Sequence, residues 1–286
     1  MYPFKKNFKY YFLAALLVVA VFVWYAVLAE SRDGLTVAFL DVGQGDATLI
    51  EKDGNQILID GGRNKKVLRE LSKVMPFYDR SIDLVIATHP DADHIGGLSD
   101  ILENFNIGLI METGVGSDTA VYAEFERQLE EKNLKKILAR RGMKIMLGKD
   151  AYLLILFPNI DVTGFDTNEA SIVAKLVYGS TSFLLTADSP KNIEQYLAAL
   201  SPNSVDVDVL KVGHHGSRTS TSEQLAGYAS PLYAVISVGK DNNYGHPHKE
   251  VIDTLNKFSI PILRTDEMGT IKFKSDGEKI FIDNKR

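Results

Sequence analysis

Two rules of hydrophobic placement divide the chain. Tyr10 to Ala29 (YYFLAALLVVAVFVWYAVLA) is an unbroken uncharged run of 20 residues, long enough to cross a bilayer core as one helix. Lys5, Lys6 and Lys9 precede it, Glu30 and Asp33 follow it, and Tyr10, Tyr11, Trp24 and Tyr25 sit near its ends. Positive charge before the span predicts a cytoplasmic segment 1–9, a transmembrane anchor 10–29 and an external domain 30–286. The competing reading is a secretory signal cleaved after Val27-Leu28-Ala29, which would leave a secreted protein. The apolar run exceeds the usual signal core of about 7–15 residues, which favours the anchor.

Beyond Gly34 the pattern alternates between period two and period 3.6. Short β-rich runs at Leu35–Leu40, Ala47–Glu51, Gln56–Ile59 and Ile82–Thr88 are punctuated by Gly and Asp. Helical periodicity follows at Asn64–Val74, Gly97–Phe105 and Ala120–Leu138. A second set of strands is expected at Ala151–Phe157, Ala170–Tyr178 and Ser182–Thr186. A helix at Ile193–Leu200, a strand at Val207–Val212, a helix at Glu223–Tyr228 and a strand at Tyr233–Val238 come next. Lys249–Phe258 reads as a helix, Pro261–Arg264 as a strand and Thr270–Ile282 as a hairpin around Asp276-Gly277. This interleaving predicts an α/β (α+β) domain of two sheets packed face to face, with helices over both outer faces.

Composition narrows the chemistry. The chain of 286 residues contains no cysteine, so disulfides, thiolate nucleophiles and Cys-type zinc sites are excluded. Any metal must be held by His, Asp and Glu. Three of the 32 basic residues precede residue 30, leaving 29 against 37 acidic ones and a net charge of −8 beyond the span. That balance gives no broad electrostatic surface for nucleic acid, and no platform combining aromatic and basic residues is apparent.

All six histidines, His89, His94, His214, His215, His246 and His248, fall at the ends of predicted strands in Gly- or Pro-containing loops. The sharpest cluster is His89-Pro90-Asp91-Ala92-Asp93-His94, directly after a strand and before Ile95-Gly96-Gly97. So compact a turn cannot wrap four side chains around one tetrahedral ion. His89 and Asp91 can face one ion, and Asp93 and His94 a second. A pair of ions about 3.5–4 Å apart is a common device for clamping phosphate or activating water. Helix capping by Asp93 would explain only one of these four residues. Asp188 closes an apolar strand, where a carboxylate is costly unless paired or bound. Asp46, in Asp41-Val42-Gly43-Gln44-Gly45-Asp46, and Asp60, before Gly61-Gly62, are placed to orient ligating imidazoles. Lys211 and Arg218 flank the His pair as candidate phosphate contacts, whereas the Lys135–Lys144 run reads as a solvated helix face.

These segments resemble the metallo-β-lactamase superfamily, whose signature His-x-His-x-Asp-His appears here with Asp91 in place of the second His. With Leu184–Asp188, His214-His215-Gly216-Ser217 and Gly245-His246-Pro247, they resemble the hydrolase domain of ComEC-type DNA-uptake proteins in a stand-alone, membrane-anchored form. The resemblance implies an αββα four-layer sandwich with two divalent metal ions at one edge. It makes His89, Asp91, Asp93, His94, Asp188 and His215 the metal ligands, with Asp188 bridging. It also casts Asp93 and His214 as catalytic, with His214 a phosphate contact or general acid. The roles of His214 and His215 are exchangeable, and His246 is an alternative last ligand. Asn168, Lys211 and Ser217 stand on the substrate side. No His occurs between His94 and His214, so one ion lacks its usual third imidazole. That oxygen-rich set favours Mn²⁺ or Mg²⁺ alongside Zn²⁺. Ala187 stands where the family more often has Gly.

The expected activity is hydrolysis of a phosphodiester by a metal-bridging hydroxide, and the resemblance implies extracellular DNA as the substrate. No multi-span channel domain accompanies it, so transport is not expected, and no feature points to a protein partner. The alternatives are a phosphodiesterase for small cell-envelope esters of phosphocholine type and a non-catalytic, membrane-anchored binding domain. The departures at Asp91 and the missing third His disfavour a β-lactamase.

Overall fold

The computed structural model describes residues 4–29 and 34–283. The chain divides into two units, Met1–Asp33 and Gly34–Arg286. The first consists of helix α1 (Phe4–Ala29). Its stretch Asn7–Tyr25 has a mean hydropathy of 1.8 and no buried side chain, which suits a membrane span by length and composition. Glu30 and Asp33, expected just past the span, lie outside the described residues, as does the start of the domain expected from residue 30.

The second unit is built on two sheets. The first begins with β1 (Leu35–Phe39), β2 (Thr48–Lys52), β3 (Asn55–Ile59), β4 (Ser81–Ile86), β5 (Asn106–Glu112) and β6 (Lys136–Leu138). The second contains β7 (Lys144–Leu147), β8 (Ala151–Phe157), β9 (Val173–Tyr178), β10 (Thr181–Leu185), β11 (Val209–Lys211), β12 (Tyr233–Ile236) and β13 (Ile262–Arg264). The hairpin of β14 (Ile271–Ser275) and β15 (Ile280–Ile282) returns to the first sheet, giving the orders β15-β14-β1-β2-β3-β4-β5-β6 and β13-β12-β11-β10-β9-β8-β7. In each sheet one run is parallel, β3 to β6 in the first and β10 to β13 in the second.

The facing sides of the sheets enclose an apolar layer that includes Phe39, Ile50, Leu153, Leu176, Phe183 and Phe273. Phe183 from the second sheet meets Phe273 from the first edge to face at 5.9 Å, a preferred aromatic geometry. Helices α2 (Lys66–Val74), α3 (Ala92–Ile95), α4 (Leu98–Asn104) and α5 (Ala120–Glu131) cover the outer face of the first sheet through Val67, Leu71, Leu98, Phe125 and Leu129. On the second sheet, α6 (Lys191–Leu200), α7 (Pro202–Val205), α8 (Glu223–Ala229) and α9 (Lys249–Lys257) bury Leu197, Val205, Leu225 and Leu255. A short α10 (Thr265–Met268) leads into β14. This is the expected αββα sandwich. It also explains why central strands such as β2 are buried at every position, since both of their faces are covered.

The helix expected over Ala120–Leu138 ends at Glu131. Asn133 adopts φ 52°, the Leu134 amide donates to the Leu129 carbonyl, and the Asn133 amide donates to that of Glu130. This left-handed closure stops the helix despite charged residues that continue its period. The Lys135–Lys144 run is therefore no helix face: it forms β6, a turn and the start of β7. Lys136 is paired there with Glu126 and Glu112 at 2.7 and 3.0 Å. Strands β5, β6 and β7 were not apparent from periodicity. Ile107, Leu109, Ile110 and Met111 of β5 are the signal that could have revealed one of them.

Candidate metal centre

Parallel strands of both sheets end at the same edge, where side chains of an open α/β arrangement collect. Asp60 follows β3, His89 follows β4 with Asp91, Asp93 and His94 on the turn into α3, and Asp188 follows β10. His214 and His215 follow β11, and His246 lies in the loop after β12.

Glycine makes this convergence possible where loops touch. Gly45 adopts φ 127°, and a Cβ there would lie 2.1 Å from the Asp93 carbonyl oxygen. That close approach lets the Asp46 amide reach the same carbonyl at 3.2 Å. The His pair is held less comfortably: His214 and His215 both occupy the left-handed region, at φ 47° and 55°. Such strain in bulky residues survives only where surroundings enforce it. Glu194, buried on α6, accepts the Thr221 and Ser222 amides at 2.7 Å each and secures the end of this loop. Ala187 likewise has φ 45°, a left-handed backbone that glycine would adopt without strain.

The rings turn one edge outward and one edge into the site. Asp60, 1% exposed, accepts the Thr88 amide at 2.9 Å and the Thr88 hydroxyl at 2.7 Å, and stands 2.8 Å from His94 Nδ1. The Thr88 oxygen is in turn 3.1 Å from His89 Nδ1. One buried carboxylate thereby orients two imidazoles, directly and through a hydroxyl. His215 Nδ1 lies 3.0 Å from the Ser237 carbonyl and 3.2 Å from Asp46 Oδ1. In all three rings Nε2 is left pointing inward.

Those inward atoms surround Asp188. His94 Nε2 lies 3.3 Å from Asp188 Oδ1, while His89, His215 and His214 Nε2 lie 3.9, 3.6 and 3.5 Å from Oδ2. Asp93 Oδ2 is 3.3 Å from His215 Nε2, and Asp91 Oδ2 is 3.8 Å from His89 Nε2. The sets His89–His94–Asp188 and Asp93–His94–His215 each bring their ligand atoms within 4.8 Å of one another. His89, His94 and His215 Nε2, together with Asp188 Oδ1, are buried without a hydrogen-bond partner. Buried polar atoms are ordinarily satisfied, and four convergent orphans from a His/carboxylate set fit divalent cations as the missing partners.

Electrostatics follow the same logic. Burial lowers the pKa of His89 to about 4, helped by the nearby His94 charge and opposed by Asp188. Burial also works against protonation of His215, but Asp188 and Asp46 raise it to about 10, and Asp188 with Asp60 lifts His94 well above its ordinary value. Burial would raise Asp93, yet its contact with His215 and the His94 charge hold it at about 2. The carboxylates around His94 and His215 thus favour positive charge at the centre of the cluster.

Other expected residues are distributed more widely. His214 keeps a quarter of its side chain exposed, and its Nδ1 is 3.2 Å from the Thr219 hydroxyl. Ser217 is buried, its hydroxyl accepting from the Thr219 hydroxyl at 3.0 Å. Asn168 has its Oδ1 buried without a hydrogen-bond partner, and the neighbouring Thr167 hydrogen-bonds to Asp91. His246 packs 5.7 Å from His214 and 6.2 Å from His215 between ring centroids. His248 immediately precedes α9 without a side-chain cap to it, and its Nδ1 accepts the Arg218 amide at 3.3 Å.

Lys211 departs from expectation. It lies within β11 and is 2% exposed, and its Nζ bonds Asp46 Oδ2 at 2.7 Å and the Val212 carbonyl at 3.0 Å. It is an internal counter-ion beneath the site, because strand alternation turns it between the sheets, and it cannot hold a phosphate. Thr88, Ser237 and Glu194 carried no expected role. Hydroxyl, carbonyl and buried acid roles of this kind need partners that only the fold supplies.

The fold and this cluster define a metallo-hydrolase architecture, and the metallo-beta-lactamase superfamily model matches residues 40–240. The chain belongs to that superfamily. Among curated proteins it is similar to ComE operon protein 3 of Bacillus subtilis, at 33% identity over 83% of this chain and 33% of that one. It is also similar to Recombination protein 2 of Haemophilus influenzae, at 32% identity over 90% of this chain and 31% of that one. The chain thus spans about a third of the length of these curated relatives. Among solved structures, Igni18, a metallo hydrolase of Ignicoccus hospitalis, shares the fold with a TM-score of 0.52 at 18% identity, over 84% of this chain and 99% of that one.

Proposed function

We propose that this chain is a membrane-anchored, metal-dependent phosphodiesterase with its domain outside the cell, acting on DNA. The observation that carries the metal dependence is the set of four orphaned atoms on His89, His94, His215 and Asp188. His89, Asp91 and Asp188 would hold one divalent cation, and Asp93, His94, His215 and Asp188 the other. Mn²⁺, Mg²⁺ and Zn²⁺ all suit such mixed oxygen and imidazole donors. When bound, the pair would supply Lewis-acid charge for the phosphate oxygens and activate water for attack.

The chain's own groups complete the reaction. Asp93, ionised and a quarter exposed, orients the attacking water by accepting its hydrogen bond. His214, with Nδ1 3.2 Å from the Thr219 hydroxyl and a quarter of its side chain exposed, would pass a proton to the departing oxygen. Asp60, Thr88, Asp46 and Ser237 keep the three inner rings in register. DNA is supported by the name of the recombination relative and by the resemblance to DNA-uptake proteins, while Lys5, Lys6 and Lys9, at the start of α1 and ahead of its apolar run, support an external domain.

The test is hydrolysis of bis-p-nitrophenyl phosphate, plasmid and single-stranded DNA by the full chain in detergent, stripped with chelator and reloaded with Mn²⁺, Zn²⁺ or Mg²⁺. Metal-dependent turnover, lost at least about a hundredfold in Asp93→Ala and Asp188→Ala with the fold retained, is expected. Turnover of small phosphocholine-type esters without DNA would redirect the substrate. Absence of turnover on every ester would overturn the enzyme reading.

A further inference from the structure

The loop after β12 carries a feature that the chemistry above does not use. Tyr244 is 55% exposed, and its ring lies against that of His246 at a centroid distance of 5.6 Å and an interplanar angle of 22°. Beneath it, His246 contacts the rings of His214 at 5.7 Å and His248 at 4.9 Å. The arrangement is fixed from within the loop. The Asn242 side-chain amide donates to the Gly239 and His246 carbonyls at 3.1 and 2.7 Å, and its oxygen accepts the Tyr244 and His246 amides at 3.1 and 3.0 Å. Lys240 in the same loop is exposed, as is Arg218, whose backbone amide donates to His248 Nδ1 at 3.3 Å.

An exposed ring held nearly parallel on a second ring offers a fixed flat face to a planar ligand. Tyr244 is separated from His214 by the single ring of His246, and this position near a cation site suited to phosphate fits a flat aromatic ligand joined to a phosphodiester. We infer that Tyr244 is a stacking platform for a nucleobase flanking the bond to be cut, which makes a single strand with an unstacked base the form this site takes. The inference rests on the phosphodiesterase reading and adds its specificity. It also supplies the aromatic platform that the sequence did not display, because Tyr244 and His246 become parallel rings only through the Asn242-braced turn.

Base stacking on one aromatic side chain corresponds to about a 5- to 150-fold difference in affinity. The experiment measures fluorescence anisotropy of the full chain in detergent, loaded with Mn²⁺, against a phosphorothioate oligothymidylate of about 12 nucleotides, within the usual single-strand site size. An abasic strand of the same length is run in parallel. Tyr244→Ala should weaken oligothymidylate binding by about 10- to 100-fold and leave abasic-strand binding unchanged, and Tyr244→Phe should restore the parent affinity. Equal weakening on both strands, no weakening on either, or a Phe variant that behaves like Ala would each overturn the platform. Ester turnover by the parent protein is scored separately, so loss of the phosphodiesterase reading is distinguishable from loss of this one.

Discussion

Replacing Lys211 by Met removes the cation beneath the metal centre while keeping most of its apolar length. Lys211 and Asp46 are 2% and 5% exposed, with a 2.7 Å contact between Nζ and Oδ2. Burial pushes the Asp46 carboxyl up, yet Lys211 and His215 together hold it well below the carboxylate range, so it is ionised at neutral pH. At that separation the pair attraction is ~6 kcal/mol for an effective dielectric of ~20, opposed by desolvation of both groups. The variant strands the carboxylate with the His215 ring 3.2 Å away as its nearest remaining charge. Breaking a buried pair in this way costs about 3–5 kcal/mol. For a domain of this size each kcal/mol corresponds to about 2–4 °C, so the melting temperature should fall by about 6–20 °C. Circular dichroism melts with chelator and with Mn²⁺ measure it. The double variant Lys211→Met, Asp46→Asn should recover most of the loss, since no unpaired charge remains, yet it should bind metal about 10- to 100-fold more weakly because His215 loses its orienting carboxylate. A single variant melting within about 2 °C of the parent, or a double variant no more stable than the single, would refute the argument.

Further outcomes follow from the same geometry. Raised folded-state values on His94 and on His215, at about 10, stabilise the metal-free protein fully below the unfolded value near 6.5. That stability is lost as pH rises to about 10, whereas metal affinity climbs over the same window as the imidazoles give up their protons. Melting temperatures of stripped and loaded protein from pH 6 to 10 should therefore diverge, and parallel curves would count against the assignment. Gly45→Ala should destabilise by more than about 3 kcal/mol, because the new Cβ meets the Asp93 carbonyl and the residue cannot relax from φ 127°; a urea titration reads this. The chain has no cysteine of its own, so Lys149→Cys, in an exposed turn, should react with an impermeant maleimide in intact cells while Lys9→Cys should not. The reverse pattern would invert the topology.

Much of the fold was legible because strand and helix periods, with Gly and Asp between them, are local properties of the chain. Both sheets and most helices were anticipated. The failures came where a local device overrode period, as at Asn133, whose left-handed backbone closes α5 and releases Lys136 to an edge strand. Residues 89–94, Asp188 and the His pair stood out because a strand end that carries several ionisable groups has little other use for them.

What the sequence determined, then, was the type of chemistry: imidazoles and carboxylates without thiols, grouped at strand ends, on a chain led by an apolar span. Tertiary structure decided which atoms face each other. Only the parallel ends of β4, β10 and β11 bring His89, Asp188 and His215 into one cluster. Only strand alternation within a two-layer core turns Lys211 inward to Asp46 instead of outward to phosphate. Side-chain type is written along the chain, whereas direction and partner depend on register and on long-range packing, which no local pattern encodes.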